Sequence, residues 1–322
     1  MRGQLLSVRS MNALRQLLGF LPFRSHVAVG QTGATPGRSA SVCLVACRIL
    51  LIVALTLSPL CASAAVRLYT IDCGALDIED LAPFSDTGDY DGKAGHLVDP
   101  CFLVQHPKGY LLWDTGLGDA LVGKPAVHND KGVTLHVSTR LVESLREIGL
   151  EPANVTYVAF SHLHLDHTGN ANLFTRSTWI INKKELDWAL QTPSPFAVRV
   201  DSFSEYKNAR TLYIDQDLDV FHDGLVRILA TPGHTPGHQS LALKLDHGGT
   251  ILLSGDLFHL RSDRNESNFF GSKVMALNAS RADTIASFAR VEAILERTRG
   301  RLVIQHDPRD IQALPRFPRY LD

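Results

Sequence analysis

The sequence predicts a layered fold of β-sheet and helix, carried by one domain over residues 65–322. Three observations predict it. Five short apolar runs end at Asp114, His162, Thr231, Ser254 and Gln305, each passing from buried strand to polar residue. Between them, Leu141, Leu145 and Ile148, and later Ile285, Phe288, Val291 and Leu295, recur at helical spacing. The run before His162 opens onto a cluster of imidazoles and a carboxylate, and in layered folds functional groups gather just outside the carboxyl ends of strands.

Val66 to Asp72 alternates enough to be a first strand. Residues 74–99 are rich in Asp, Gly and Pro and read as a long polar loop over the site. Cys101–Gln105 and Tyr110–Trp113 flank His106-Pro107-Lys108-Gly109 and form a hairpin, whose second strand ends in Asp114-Thr115-Gly116. The first helix runs from Leu141 to its stop at Gly149. Val155–Phe160, β-branched and aromatic, is a buried strand. Trp179–Ile181 is another, after which Asn182 caps a short helix through Leu190. Residues 191–210, with Pro193, Pro195, Phe196, Phe203 and Tyr206, form a second candidate pocket wall. Strands at Leu225–Ala230, Ile251–Leu253 and Leu302–Ile304 follow, the last after a helix from Arg281 to Arg297 that packs on sheet.

The chemistry centres on His162-Leu163-His164-Leu165-Asp166-His167. His162 and His164, two apart on extended chain, point to one side. Asp166 and His167 are neighbours and point apart, so that one segment serves two metal ions. Nitrogen and oxygen donors of this kind suit Zn²⁺. His234 lies in a Pro/Gly turn that aims it inward, and His306 ends an apolar strand; both are candidate ligands. His238 makes a supporting or packing contact. His96, His106, His128, His136, His222 and His247 read as surface residues.

Residues 1–64 hold six arginines and no acid, which leaves 26 basic against 33 acidic residues in the remainder and no basic patch for nucleic acid. Arg48, the apolar run Ile49–Leu60 and Ala62-Ser63-Ala64 make a secretory signal peptide cut after Ala64, with an uncleaved anchor as the alternative. A periplasmic or secreted protein without a membrane span after cleavage follows. Cys73 and Cys101 remain after cleavage and are expected as two buried thiols, a disulfide being the alternative.

Over residues 66–313 the chain resembles the metallo-β-lactamase superfamily. Tyr69-Thr-Ile-Asp-Cys-Gly74, Trp113-Asp-Thr-Gly116, Thr231-Pro-Gly-His-Thr-Pro-Gly-His-Gln239 and Gly255-Asp256 are most similar to the N-acyl-homoserine lactone hydrolases. The resemblance implies an α+β fold, a four-layer αββα sandwich with a dinuclear zinc site at one edge of the β layers. It implies that His162, His164 and His234 hold the first ion, that Asp166, His167 and His306 hold the second, and that Asp256 bridges. Asp114 then orients a ligand from behind. These lactonases carry a tyrosine three residues after the bridging aspartate, where this chain has His259; a hydrogen-bonding or proton-relaying histidine and a structural one are both open. The implied reaction is hydroxide attack on a small cyclic ester, with Asp166 or His259 carrying a proton. The alternatives are hydrolysis of another carbonyl bond (β-lactam or thioester), a di-iron redox protein and a non-catalytic metal-binding protein.

Overall fold

The computed structural model describes residues 65–84, 88–129, 131–265 and 279–322; the expected extension and signal peptide over 1–64 lie outside the described residues. The strands are β1 (Arg67–Ile78), β2 (Gly95–His106), β3 (Gly109–Trp113), β4 (Val127–His128), β5 (Val133–His136), β6 (Tyr157–Ala159) and β7 (Thr178–Asn182). They continue as β8 (Arg210–Ile214), β9 (Leu218–Asp219), β10 (Val226–Ala230), β11 (Gln239–Leu245), β12 (Gly249–Leu253), β13 (Arg301–Val303) and β14 (Tyr320–Leu321). The helices are α1 (Leu141–Glu147), α2 (Leu165–Thr168), α3 (Lys183–Ala189), α4 (Arg261–Asn265), α5 (Arg281–Thr298) and α6 (Pro308–Gln312).

One sheet has the order β4-β5-β1-β2-β3-β6-β7-β8, with β14 also paired to β1, and the other has the order β13-β12-β11-β10-β9. The period-2 alternation of their residues explains the layering. Leu68, Phe102, Leu111 and Ala159 of the first sheet face Ile228, Leu241, Ile251 and Val303 of the second in one buried cluster. Their neighbours Tyr69, Leu103, Leu112 and Val158 point the other way, onto Leu141 and Leu145 of α1 and Leu186 of α3. On the far side of the second sheet, Leu229, Leu252 and Leu302 meet Val291 and Leu295 of α5. The result is the expected four-layer αββα sandwich. Among the described residues no helix is long and apolar enough to cross a membrane.

Three expectations need correction. The polar loop at 74–99 is strand at both ends: β1 runs on to Ile78 and β2 begins at Gly95, so pairing continues as far as Ile78 opposite Gly95. The many Asp and Gly residues there hid the alternating Leu76, Ile78 and Leu97, which face inward. His106 is buried, its ring stacked on Phe221 at 3.9 Å and its Nε2 3.0 Å from Asp223.

The third concerns the cysteines. Cys73 and Cys101 form a disulfide, with Cα atoms 5.7 Å apart. Ile71 pairs with Cys101, and the register shift between Asp72 and Ala75 lies at Cys73. Sequence spacing carried no sign of that register. A cross-link between residues 28 apart is worth about 3–4 kcal/mol through confinement of the unfolded chain. The double variant Cys73→Ser, Cys101→Ser should lose that much in urea unfolding; a loss below ~1 kcal/mol would contradict the chain-entropy account of this cross-link.

Candidate metal centre

The chain leaves β6 at Ala159 and extends through His164, which bridges to Val198, before turning into α2. Because that stretch is extended, Leu163 is buried in the core while His162 and His164 turn to the other side, His162 Nε2 lying 2.9 Å from His164 Nδ1. Asp166 and His167 sit in the first turn of α2, so the prediction that they point apart fails. Helical backbone brings Asp166 Oδ2 to 3.8 Å from His167 Nε2 and 4.0 Å from His306 Nε2. The Pro/Gly turn after β10 delivers His234, whose Nε2 is 3.2 Å from His164 Nδ1.

Asp256, just beyond β12, stands between the two groups. Its Oδ1 is 3.0 Å from His306 Nε2 and 3.3 Å from His167 Nε2. Its Oδ2 is 3.4 Å from His234 Nε2 and 3.7 Å from His162 Nε2. All seven candidate ligands therefore meet, in the groups His162–His164–His234 and Asp166–His167–His306 with Asp256 between. His259 joins them, its Nε2 3.4 Å from Asp256 Oδ2.

The far side of each ring decides which nitrogen carries the proton. His306 Nδ1 donates to the Val98 carbonyl at 2.7 Å and His167 Nδ1 to Asp114 at 3.0 Å, so both Nε2 atoms face inward. His167 Nε2 and Asp256 Oδ1 are buried without hydrogen-bond partners, a state that costs free energy unless an ion occupies the space between. The donor set fits divalent cations such as zinc.

For the first three imidazoles the charge distribution agrees. Burial pushes the pKa of His162 and His234 well below the ordinary range and that of His164 down to about 4, so these rings are neutral donors. Burial opposes charge on His167 too, but Asp114, Asp166 and Asp256 outweigh it and raise its pKa. For His306 the nearby Asp256 overcomes burial and raises the pKa to about 9. The histidines around Asp256 in turn overcome its burial and hold its carboxyl well below the usual range.

Asp114 is the expected support, held with φ at 58°, in a region that non-glycine residues rarely adopt. Its Oδ1 accepts the Ser161 N–H at 2.6 Å, and its Oδ2 accepts from His167 and, at 2.9 Å, from Gln305 Nε2. Gln305 was not anticipated. Its Oε1 also accepts Trp113 Nε1–H and the Gly255 N–H, both at 2.9 Å, joining the ends of β3, β12 and β13. The only signal was a polar residue beside His306 at a strand end. His238 supports as expected: Nδ1 donates to the Thr231 carbonyl and Nε2 accepts the Asp256 N–H at 2.9 Å. Gly255 is required here, since a Cβ would lie 2.5 Å from His238 Nε2.

Asp263 is a further unanticipated group. Its Oδ2 accepts the N–H groups of His259 and Leu260 at 3.1 and 2.8 Å and so shapes the turn that carries His259. Burial raises its pKa to about 6. The folded state therefore prefers the protonated acid, a contribution complete below pH ~4 and lost as pH rises through about 6. Asp263→Asn keeps the accepting oxygen without the charge. It should be more stable than the parent at pH 8, by up to ~3 kcal/mol, and not at pH 4; equal pH dependence of urea unfolding in both proteins would refute this.

A cavity of about 240 Å³ opens onto the centre at Asp166, His234, Asp256 and His259. Leu76, Ile78, Phe84, Leu97, Val133 and Leu135 form one wall. Phe196 and Ala197 form the other, while Phe203 and Tyr206, also expected there, pack on the core instead, and Pro193 and Pro195 do not line the cavity. Lys131 Nζ lies 4.1 Å from the centroid of the Phe196 ring. A larger cavity of about 580 Å³, lined by Asp72, Ser144, Glu147 and Arg316, contains none of the convergent ligands.

The sequence profile of the metallo-beta-lactamase superfamily matches residues 95–299, well over half of the chain. The chain belongs to the metallo-β-lactamase superfamily. Among superfamily relatives, N-acyl homoserine lactonase AttM of Azorhizobium caulinodans is 31% identical over 271 residues, covering 80% of this chain and 99% of AttM. N-acyl homoserine lactonase AiiA of Bacillus thuringiensis is 28% identical, covering 71% of this chain and 89% of AiiA. A solved N-acyl homoserine lactone hydrolase, with N-hexanoyl-L-homoserine bound at its catalytic metal center, superposes with a TM-score of 0.68. It is 25% identical, over 79% of this chain and 98% of that one. The dizinc lactonase AidC, at 18% identity and a TM-score of 0.55, shares the fold, over 79% of this chain and 89% of AidC.

Proposed function

We propose that this protein is an exported metal-dependent lactonase that opens the ring of an N-acyl homoserine lactone at a two-zinc centre. The observation that carries the reading is the convergence of seven ligand side chains on one edge of the sandwich, beneath an apolar cavity. The related lactonases support the choice of substrate.

His162, His164 and His234 would hold one zinc ion, Asp166, His167 and His306 the other, with Asp256 shared between them. Bound there, the ions supply Lewis acidity and make hydroxide available near pH 7. The Asp256 carboxylate offsets the mutual repulsion of two dications. His259 Nε2 lies beside Asp256 at the cavity floor, placed to donate a hydrogen bond to the lactone carbonyl or to pass a proton to the departing alkoxide. Leu76, Leu97, Val133 and Phe196 exclude water and receive an apolar acyl chain.

Export rests on Arg48, the apolar run to Leu60 and the Ala64 site, and the Cys73–Cys101 disulfide supports an oxidising compartment. A mature protein beginning at Ala65 is the expected product, and N-terminal sequencing checks it.

Parallel assays on an acyl-homoserine lactone and a cephalosporin test the reaction. Turnover of the lactone, abolished by chelation and restored by Zn²⁺, is expected. Ring opening of the cephalosporin alone would replace this reading with the β-lactam alternative.

A further inference from the structure

Glu185 is a carboxylate buried near the start of α3, and it does not line the cavity. Burying such a group is costly unless it is hydrogen-bonded. Its two oxygens separate their tasks: Oε1 accepts the Leu163 N–H and Oε2 the Gly237 N–H, each at 2.9 Å. Leu163 lies between His162 and His164, in the loop after β6 of the first sheet. Gly237 lies between His234 and His238, in the loop after β10 of the second.

The two loops approach from different sheets, and no strand pairing fixes their separation. Gln239 ties them near their roots, its backbone N–H donating to Ser161 O at 2.8 Å and its Nε2 to Phe160 O at 2.9 Å. Glu185 ties them near the tips, where the imidazoles are. Close approach is built in at Gly237, where a Cβ would lie 2.5 Å from the Glu185 N and 2.7 Å from Asn182 Oδ1.

We infer that Glu185 is a positioning residue that holds the His162–His164 segment against the His234 turn and thereby builds the three-imidazole half of the metal centre. The inference rests on the two-metal reading but on no particular substrate. His167 and His306 depend on other supports, namely Asp114 and the Val98 carbonyl. Loss of Glu185 therefore affects the two halves unequally.

The experiment is stepwise Zn²⁺ binding to the full-length chain against a competing chelator, with Co²⁺ absorption as the second readout. Glu185→Gln turns one acceptor into an amide donor facing a backbone N–H. One metal equivalent should weaken 10- to 100-fold, the usual cost of losing a group that supports metal ligands, while the other binds as in the parent. The Co²⁺ spectrum should change for that equivalent only. Unchanged binding of both, or equal weakening of both, overturns the inference. If the variant does not fold, the parent protein decides the matter through hydrogen exchange: the amides of Leu163 and Gly237 should be protected together, and fast exchange of either overturns it. None of these readouts uses a lactone, so a parent enzyme inactive on lactones would sink the proposed reaction and leave this result standing.

Discussion

Asp256→Ala is expected to remove turnover and strip the centre of metal while leaving a folded protein. The side chain lies within 3.7 Å of ligand nitrogens on both sides of the site, reaching His306 and His167 with Oδ1 and His234 and His162 with Oδ2. Without it, two dications would face each other across neutral imidazoles with no anion between. A rate loss of at least ~10³-fold follows, equivalent to about 4 kcal/mol of transition-state stabilisation. The fold should survive, because the neighbouring turn is held by Gly255 N–H on Gln305 and by the Asp256 backbone on His238. Metal content by mass spectrometry, circular dichroism and lactone turnover measure the three claims. Near-normal turnover would contradict the bridging role.

His259→Phe should lower kcat by about 10²-fold, the scale of a lost proton donor, with metal content and melting temperature close to those of the parent. The ring's Nε2 faces Asp256 at 3.4 Å, whereas the fold-bearing contacts of this segment run through its backbone to Asp263. Phenylalanine can keep the edge contact that the imidazole makes with Phe84, whose centroid is 5.1 Å away. Lost stability with an unchanged rate would instead make His259 structural. Tyrosine, which the lactonases resembled by this chain carry at the same place, should restore part of the rate.

The legibility of the site varied with how local its causes were. His162, His164 and His167 announced themselves because their spacing and the strand before them lie in one short segment. Asp256 and His306 were reached through the family resemblance and the repeated pattern of an apolar run ending in a polar residue. Gln305, Glu185 and Asp263 were not reached, because each acts on backbone or side chains 22 to 191 residues away or on its own turn, and nothing in their flanking residues marks such a partner. The hairpin beyond Asp72 was missed for a related reason: its apolar residues alternate among many Asp and Gly, and only the neighbouring strand supplies the pairing that extends it.

By itself, the sequence determined the layered order of strands and helices and the donor chemistry of the centre, since both follow from side-chain type and period along a short stretch of chain. Tertiary structure alone decided that Cys73 meets Cys101, that Asp166 and His167 converge, that His106 is buried, and which groups hold the ligands in place. Those outcomes depend on strand register and on loops from two sheets meeting at one edge, and distances between segments far apart in the chain are set only when the whole core packs.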